Sequence, residues 1–336
     1  ASVKTTVDLS ESNNGNKNIP LRFGTLIGYF ARRKIDKLTI ITSQKIQYFS
    51  FWIEQLIAES TGKNGLGVLP VIEEKFHENK EYSSDRLFVF IKLGEDEEVQ
   101  RQLISAVNKN HPVVFIELED LYELGGLFFC WEFATAVCGI QLGINPFDQP
   151  DVESSKVYTR KFAEDYKKNG FLEDLKPLFD HKGIEFFADA DLKDIESLGK
   201  WFSQSIQGGG YFCLQAFIEE TGENEEQLRN LADILSVKFN VPATFGFGPR
   251  YLHSTGQLHK GDSGKGVFIQ FVSDITEDLP IPEEPLSDKS SISFGILKKA
   301  QSLGDYRALE ERGRNILRIN LSSDVEKNLN IFSELI

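Results

Sequence analysis

Apolar positions recur with a helical period in residues 43–71, early in the chain. At 100° per residue, the period of an α-helix, five of them fall on one face of the helix. They are Ile46, Phe49, Ile53, Leu56 and Ile57. The pattern breaks at Gly62, passes through a turn that contains Gly65 and Gly67, and resumes as an apolar strand. We expect the rest of the chain to be organised around this helix and the turn at its end.

Glu59 lies off the apolar stripe, in the last turn of the predicted helix. The negative end of the helix dipole disfavours a carboxylate there by about 0.3–1 kcal/mol, which raises the pKa of the carboxyl group. A general base that must accept and return a proton near neutral pH benefits from such a shift. The alternative interpretation is a solvated glutamate at a helix end.

Short β-branched runs alternate with helical patterns between residues 38 and 142. The runs at 38–42, 86–93 and 112–118 are typical of buried parallel strands. Their alternation with helices predicts an α/β domain with a parallel sheet covered on both faces. Ligands of such sheets bind at the carboxyl ends of the strands. We therefore expect Thr42, Ser43 and the turn at 143–150 to lie in or near that zone.

The second half of the chain has a different order of elements. Strands are predicted at 211–218, 243–247, 266–272 and 315–321, with helices at 223–239 and 294–304. This β-α-β-β-α-β order is typical of a ferredoxin-like α+β domain. A long loop at 248–265 joins the second and third strands, and long loops inside domains are often functional or mobile.

The length of 336 residues exceeds one average domain, so two are expected. Residues 1–19 are polar and predict a flexible lead. A polar connector at 169–183 is the best candidate for a boundary. We therefore expect one domain at 20–170 and a second at 184–336.

Composition narrows the classes of function. The net charge of −14 argues against nucleic acid and anionic membranes as partners, since both need basic patches. An anionic small substrate needs only local positive potential. The three cysteines lie in apolar runs without CxxC spacing, which predicts buried free thiols in a reducing, cytoplasmic compartment. No signal peptide is predicted, and the absence of Met favours a fragment or a processed product.

Three places combine residue types that can carry chemistry: residues 59–63, residues 145–150 with Lys156, and the loop at 248–265. Each has a structural alternative. Asp148 can cap the following helix, and Lys156 can pair with an acidic residue one turn away. A zinc site is not expected in the loop, because its two histidines have no carboxylate or cysteine at metal spacing. Dinucleotide-binding, P-loop and serine-hydrolase motifs are absent from the sequence.

Three stretches, in this order, resemble the glucose-6-phosphate isomerases. They are AESTGK at 58–63, GINPFDQPDVESSK at 143–156 and GFGPRYLHSTGQLHKG at 246–261. The resemblance extends over nearly the whole chain from about residue 20. It is greatest to the branch of the family in which the isomerase is fused behind a transaldolase.

The resemblance implies a sugar-isomerase (SIS) fold with a three-layer α-β-α parallel sheet. It implies the interconversion of glucose 6-phosphate and fructose 6-phosphate through an enediol, with no metal or organic cofactor. Glu59 matches the family's catalytic base, and Lys156 matches the lysine that helps to open the sugar ring or to steady charge on its oxygen. His259 is the nearest candidate for the histidine that opens the ring. The residues expected to bind substrate are Ser60, Thr61, Gln149 and Gln257.

The phosphate-binding loop of the family's first SIS half has no counterpart in this sequence. We therefore expect the chain to be the C-terminal half of an isomerase and to be nearly inactive alone. Its expected partners are the sugar phosphate, the N-terminal SIS half and a transaldolase domain, and a homo-oligomer is left open. Two alternatives remain: a SIS module that binds sugar phosphate without chemistry, and an interaction domain at 184–336.

Overall fold

The structure is a computed structural model, and it describes residues 2–12, 17–78, 80–172 and 175–336. The elements up to residue 142 are α1 (Ser2–Ser10), α2 (Ile19–Ala31), β1 (Lys37–Thr42), α3 (Gln47–Thr61), β2 (Leu69–Val71), β3 (Arg86–Leu93), α4 (Glu97–Asn108), β4 (Val113–Leu118) and α5 (Leu124–Leu142). The elements that follow are α6 (Glu153–Asn169), β5 (Phe179–His181), β6 (Ile184–Phe187), α7 (Ile195–Ser205), β7 (Tyr211–Phe217), α8 (Gly222–Phe239), β8 (Ala243–Phe247), α9 (Gly256–Gly261), β9 (Gly266–Val272), β10 (Pro280–Ile281), β11 (Ile292–Ser293), α10 (Phe294–Glu311), β12 (Asn315–Asn320) and α11 (Val325–Leu335).

The chain divides into two compact units. The first unit runs to Pro150 and also contains Ser254–Ser263, which includes α9. The second unit contains Asp151–His253 and Gly264–Ile336. A short segment far along the chain is therefore built into the first unit.

The first unit is built on a four-stranded parallel sheet in the order β2-β1-β3-β4. Strand β3 is buried on both faces. Leu87, Val89 and Ile91 pack with α2, α3 and α5 on one face, whereas Phe88 and Phe90 pack with α4 on the other. A strand that is apolar on both faces needs a helix layer on each side. The predicted α/β class with a helix-covered parallel sheet is confirmed.

Helix α5 is part of this core. By length and composition alone, residues Leu121–Leu142 would suffice to cross a membrane, but 50% of the apolar 18-residue window within it is buried in the described protein. Trp131 is 0% exposed, and its ring meets that of Phe23 edge-on at 4.7 Å. This burial is typical of a core helix, and it explains why α5 is apolar over most of its length.

The polar start of the chain differs from expectation. Residues 1–19 were predicted as a flexible lead, but Ser2–Ser10 forms α1, which packs against α5 and α2. Asn18 caps α2, since its side chain accepts a hydrogen bond from Leu21 N. Residues 1 and 13–16 lie outside the described residues. Packing on α5 stabilises a helix whose sequence has little apolar content, which local pattern alone does not reveal.

The second unit contains a six-stranded sheet in the order β5-β6-β12-β9-β7-β8. The four strands β12, β9, β7 and β8 run parallel to one another. At one edge β6 pairs antiparallel with β12, and β5 pairs antiparallel with β6. The expected ferredoxin-like arrangement is therefore wrong for this unit, which is α/β. The prediction failed at residues 248–265. This segment is a crossover connection from β8 to β9, which run parallel, but it was interpreted as a simple loop.

Strand β7 shows the layers of this unit. All seven of its residues are buried. Phe212, Leu214 and Ala216 join the cluster that includes residues of α7, α8 and α11. The intervening side chains of β7 face the opposite side of the sheet, because successive side chains of a strand alternate.

The boundary between the units also differs from the predicted one. Helix α6 packs against α10 in the second unit so closely that a Cβ atom on Gly304 would lie 2.6 Å from Thr159 Oγ1. The division consequently falls between Pro150 and Asp151 and not within the connector at 169–183, of which residues 173 and 174 lie outside the described residues. The contact joins helices that are more than a hundred residues apart, so composition gave no sign of it.

Candidate functional site

The end of α3 is the centre of the candidate site in the first unit. Ile53 and Ile57 are 0% exposed and anchor the predicted apolar face of the helix in the core. The helix ends at Thr61, and the N–H of Gly62 donates to the carbonyl oxygen of Ala58 at 3.1 Å. The backbone of Gly62 then leaves the helical conformation, with ψ of 77°. The apolar periodicity and the glycine together determine where this helix stops.

The topology places this helix end at the amino-terminal edge of the sheet. Helix α3 connects the parallel strands β1 and β2 and must return across the sheet, and α5 returns likewise after β4. The turn at 143–150 was expected near the carboxyl edge, and this expectation is wrong. Ser43 does lie at the carboxyl edge, where its N–H donates to Ile91 O and its Oγ accepts from Leu93 N, both at 3.0 Å.

The segment 254–263 is bound to the end of α3. Gln257 Nε2 donates to the carbonyl oxygen of Gly62 at 2.8 Å. Gly65 N donates to the carbonyl oxygen of Gly261 at 2.9 Å. A Cβ atom on Gly62 would lie 2.3 Å from Leu258 Cα. The glycines of the 62–67 turn thus allow a second backbone to approach closely, which explains why the site needs glycine at position 62.

Lys63 holds the turn at 143–150. Its side chain is 1% exposed, and its ammonium donates to Asn145 O at 2.8 Å, to Asp148 Oδ1 at 3.0 Å and to Asp148 O. An ammonium has three donors. All three have partners within the first unit, so Lys63 fixes the turn that carries the second sequence motif.

The three consecutive residues predicted to act at the helix end have different environments. Glu59 and Ser60 are half-buried. Thr61 is 0% exposed, and its Oγ1 donates to Ile57 O at 2.7 Å and accepts from Val68 N at 3.0 Å. These bonds connect the helix to the following strand. The prediction that Thr61 binds substrate stays a prediction, and these contacts favour a structural role for its hydroxyl.

His259 and Gln257 are buried in the short helix α9. His259 is 0% exposed, Gln257 is 1% exposed, and the ammonium of Lys260 donates to Gly256 O at 3.2 Å. A group that opens a sugar ring must contact that sugar. The complete burial of His259 therefore favours a role in holding the segment, while its catalytic role stays a prediction.

Lys156 and Gln149 lie on the surface of their own units. Gln149 is exposed in the turn of the first unit. Lys156 is exposed on α6, in the second unit. The pKa of its neighbour Glu153 is held below the usual range, mainly by a hydrogen bond from Arg160 and to a smaller extent by the charge of Lys156. The first unit thus brings together Glu59, Ser60 and the segment with Gln257 and His259, whereas Lys156 belongs to the other unit.

The chain is similar to curated glucose-6-phosphate isomerases. It is 27% identical to the enzyme of Exiguobacterium sibiricum over 197 residues, which are 47% of this chain and 41% of that protein. It is 31% identical to the probable glucose-6-phosphate isomerase of Methanococcus maripaludis over 146 residues, 34% of this chain and 33% of that protein. The matched parts thus span roughly a third to two fifths of these relatives. No family model matches the chain.

Solved structures add no argument at this level of similarity. A hypothetical protein from Thermus thermophilus is 13% identical and aligns over 99% of this chain and 87% of its own, with a TM-score of 0.34. The parallel sheets of this structure support the α/β class by themselves.

Sequence reasoning missed the contact between Lys63 and Asp148. Both residues lie inside motifs that the sequence had singled out, at 58–63 and 143–156. The pairing spans 85 residues and depends on α3 and α5 ending at the same edge of the sheet. The only sequence signal was the position of Lys63 directly after the helix-ending glycine.

Proposed function

We propose that the protein is a sugar-phosphate isomerase that interconverts glucose 6-phosphate and fructose 6-phosphate. The observation that carries the proposal is the union of two distant motifs at the end of α3. The motif with Glu59 and the motif with Gln257 are joined by a buried hydrogen bond, although 195 residues separate the bonded residues. The similarity to curated isomerases supports the same activity.

In the proposed reaction, Glu59 moves one proton between neighbouring carbons. Its carboxylate takes the proton from C2 of the open-chain aldose, the electron pair of that C–H bond forms the C1–C2 double bond, and the carbonyl π pair moves to O1. A proton passes from the C2 hydroxyl to O1 in the course of the reaction. The O2 lone pair then re-forms a carbonyl at C2, and the C1–C2 double-bond pair takes the proton back from the carboxyl group at C1. A half-buried carboxylate at the end of a helix can be reached by a substrate while it is held in place by the helix, as this exchange requires.

The proton transfer needs a partner that steadies charge on the sugar oxygens. A cation close to the developing oxyanion lowers the barrier. Lys156 is our candidate on sequence grounds, and its exposed ammonium is accessible to a ligand. The complete gene product, including any transaldolase domain and first SIS half, is the form in which this activity is proposed.

Substitution of Glu59 by Gln tests the proposal. We expect kcat for the conversion of fructose 6-phosphate to fall by about 10²–10⁴-fold, because general base catalysis contributes that much. The binding of glucose 6-phosphate should persist, since the amide has nearly the same shape. Glu54→Gln is the matched control, because Glu54 is also a half-buried acid on α3. Turnover in the complete gene product is followed by coupling glucose 6-phosphate to a dehydrogenase.

The outcomes separate the alternatives. Near-normal turnover by the Glu59→Gln protein would show that another group moves the proton. Binding without any turnover in the unsubstituted complete protein would favour the non-catalytic sugar-phosphate module. In deuterium oxide, transfer through a carboxyl group should place deuterium at C2 of the glucose 6-phosphate formed. Direct transfer of hydrogen between the two carbons would leave C2 unlabelled.

A further inference from the structure

Strand β4 lies at one end of the sheet in the first unit. The strand order is β2-β1-β3-β4, and among the residues that the structure describes no strand pairs with β4 on its other side. We call that side the open edge of β4. An apolar edge strand is a template for a further strand, and proteins commonly protect such edges with charges, prolines or bulges. The central residues of β4, 113–116, contain none of these.

Every second residue of β4 directs its peptide groups to the open edge. Phe88 N of β3 donates to Pro112 O at 3.0 Å, so Pro112 points to β3. The N–H and C=O groups of successive residues in a strand point to opposite sides. The residues whose peptide groups point outward are therefore Val113, Phe115 and Glu117. Such outward groups can exchange main-chain hydrogen bonds with a strand of another molecule.

Helix α4 covers one face of the sheet, and one flank of this helix is anchored towards β1. Arg86 donates to both carboxylate oxygens of Glu74, at 2.6 and 2.9 Å, and to Thr39 Oγ1 of β1 at 2.8 Å. Lys80 pairs with the same Glu74 at 3.6 Å. At the end of α4, Lys109 Nζ donates to Lys80 O at 2.6 Å. Lys109 therefore marks the flank of α4 that faces β1, away from the open edge.

The other flank of α4 is apolar and exposed. At 100° per residue, Ile104 and Val107 lie roughly 140–160° around the helix from Lys109. They are 50% and 52% exposed, and Phe115 of β4 is 39% exposed. Phe115 lies on the same face of the sheet as α4, since its cross-strand neighbour Phe90 packs with that helix. We call Ile104, Val107 and Phe115 the apolar border of the open edge.

The charges along β4 suit an antiparallel copy of the same strand. Acidic residues are found at its carboxyl end, at Glu117, Glu119 and Asp120. The residues before the strand, 109–112, include a lysine and a histidine but no acid. Two parallel copies would place acid beside acid, which is destabilising. Two antiparallel copies place each acidic end beside the end of the partner that has none.

We propose that two copies of this chain associate through the open edge of β4, as antiparallel strands related by a two-fold axis at Phe115. In this register Phe115 lies opposite Phe115 of the second copy, and Val113 lies opposite Glu117. Directly opposed residues of this kind exchange both main-chain bonds, so all the outward groups are paired. The acid of Glu117 then faces an apolar residue, and the two apolar borders are brought together.

The symmetry of this arrangement favours a second copy over an unrelated partner. A two-fold axis requires a surface that complements itself, and β4 does so in both charge and hydrogen bonding. The two four-stranded sheets become one continuous sheet. None of the residues assigned to the isomerase proposal lies on β4 or α4, so either proposal can fail alone.

Disulfide trapping tests the register. Phe115→Cys places two thiols opposite each other, with Cα atoms about 5.5 Å apart, which is within the range of a disulfide. We expect a covalent dimer on a non-reducing gel after mild oxidation. Glu117→Cys is the matched control, because its two copies would lie about 13 Å apart along the strands and should not be joined. The native cysteines Cys130, Cys138 and Cys213 are buried.

The mass of the full chain in solution tests the association itself. Analytical ultracentrifugation should show a species of twice 38.0 kDa that increases with concentration from about 1 to 100 μM. Phe115→Lys should weaken the dimer by at least about 10-fold, because two ammonium groups would meet at the axis. Phe115→Glu should do the same, and a mixture of the two variants should restore a dimer, since opposite charges then meet.

Phe171→Lys is the control for the charge variants, because Phe171 is 63% exposed and lies in the second unit. Its dimer should be as strong as that of the unsubstituted chain. Val107→Lys, on the exposed flank of α4, supplies a second variant should Phe115→Lys fail to fold, and it too should weaken the dimer. A charge variant of the apolar border that dimerises as well as the control would place the interface elsewhere and overturn the proposal.

Other results would also contradict an edge-to-edge dimer. A chain that stays at 38.0 kDa up to about 100 μM does not associate in this way. Equal cross-linking of Phe115→Cys and Glu117→Cys would exclude the register. The complete gene product with Phe115→Cys should form the same covalent dimer. Its absence there would show that another part of the same polypeptide covers the open edge, and a second copy would then be the wrong partner.

Discussion

Gln257 and Gly62 are joined by a hydrogen bond from Gln257 Nε2 to the main-chain carbonyl oxygen of Gly62, with a length of 2.8 Å. The bond is buried, and Gln257 is 1% exposed. It satisfies a carbonyl group just beyond the last turn of α3, where no further helical N–H can reach. The segment 254–263 therefore caps the C-terminal end of α3, although it comes from a distant part of the chain.

Replacing Gln257 by Leu should lower the free energy of unfolding by about 1–3 kcal/mol, because the carbonyl of Gly62 would remain buried without this donor. Urea unfolding measures the loss, and hydrogen exchange should show faster opening of residues 254–263. Gln55→Leu is the control, since Gln55 is exposed on the same helix α3. A loss no larger than that of the control would mean that this bond contributes little to stability.

Replacing Gly62 by Ala should push the end of α3 and the segment 254–263 apart, because the new side chain would clash with that segment. The added methyl group would lie 2.3 Å from Leu258 Cα, and backbone must move to relieve the clash. We expect a destabilisation of about 1–3 kcal/mol, as for overpacked cores, measured by thermal unfolding. Gly199→Ala serves as control, because a Cβ atom there has no neighbour within 4 Å. Gly199 is inside α7, so its substitution should be neutral or stabilising.

Replacing Lys63 by Met should release the turn at 143–150. The substitution keeps much of the side-chain volume but removes the ammonium that binds Asn145 O and Asp148. Hydrogen bonds to charged groups contribute about 1.5–3 kcal/mol, so stability should fall by at least that amount. Urea unfolding is the measurement, with Lys45→Met as an exposed control in the same unit. An unfolding midpoint that shifts no further than in the control would contradict the assigned role.

Tyr251 and Asp305 form a buried pair in the second unit. Tyr251 OH donates to Asp305 Oδ2 at 2.6 Å, and Ser155 Oγ donates to Asp305 Oδ1 at 3.2 Å. Burial, followed by the charge of Asp305, raises the pKa of Tyr251 well above its usual value. Tyr251→Phe removes one donor from a buried carboxylate and should cost about 1–3 kcal/mol.

The matched control for this change is Tyr48→Phe, because Tyr48 is 78% exposed. Chemical denaturation compares the two variants. The tyrosinate absorbance of Tyr251 should appear only after unfolding as the pH is raised, since the folded phenol keeps its proton. Ionisation of Tyr251 in the folded protein near pH 10 would contradict the buried pair.

The buried thiols should be inert while the protein is folded. Burial raises the pKa of Cys130 from 9.0 to about 11 and that of Cys138 to about 12. At pH 8 we expect slow reaction with a disulfide reagent in the native state and fast reaction in denaturant. Because the unfolded thiols ionise near pH 9 and the folded ones only at higher pH, the unfolded state loses protons first. Stability should therefore fall as the pH rises from about 9 toward 12. Rapid labelling of the native protein at pH 8 would contradict this burial.

Local pattern was sufficient for most elements of the first unit, but not for α1 or α9. The helix that carries Glu59, its stop at Gly62 and the apolar strands were all predictable, because apolar period and glycine act on neighbouring residues. The direction of strands in the second unit was not predictable in this way. Four strands in sequence are compatible with antiparallel or parallel pairing. Long-range packing determines that β9 pairs with β7 and β12.

The candidate site was only partly predictable. Resemblance picked out Glu59 and the segment with Gln257, and the sequence alone placed Glu59 in the last turn of a helix. It did not reveal that Lys63 is used internally, that His259 is fully buried, or that Lys156 belongs to the other unit. Burial and ion pairing depend on the whole set of neighbours, and those neighbours come from distant parts of the chain.

The sequence by itself determined most of the helices and strands, the helix-ending glycine and the set of residues able to carry chemistry. Each of these follows from steric and hydrophobic preferences over a few consecutive residues. Tertiary structure decided that residues 254–263 belong with α3, that the second sheet is mainly parallel, and that β4 lies at an edge of the first sheet. These features depend on which surfaces bury one another, and this is a property of the folded chain as a whole.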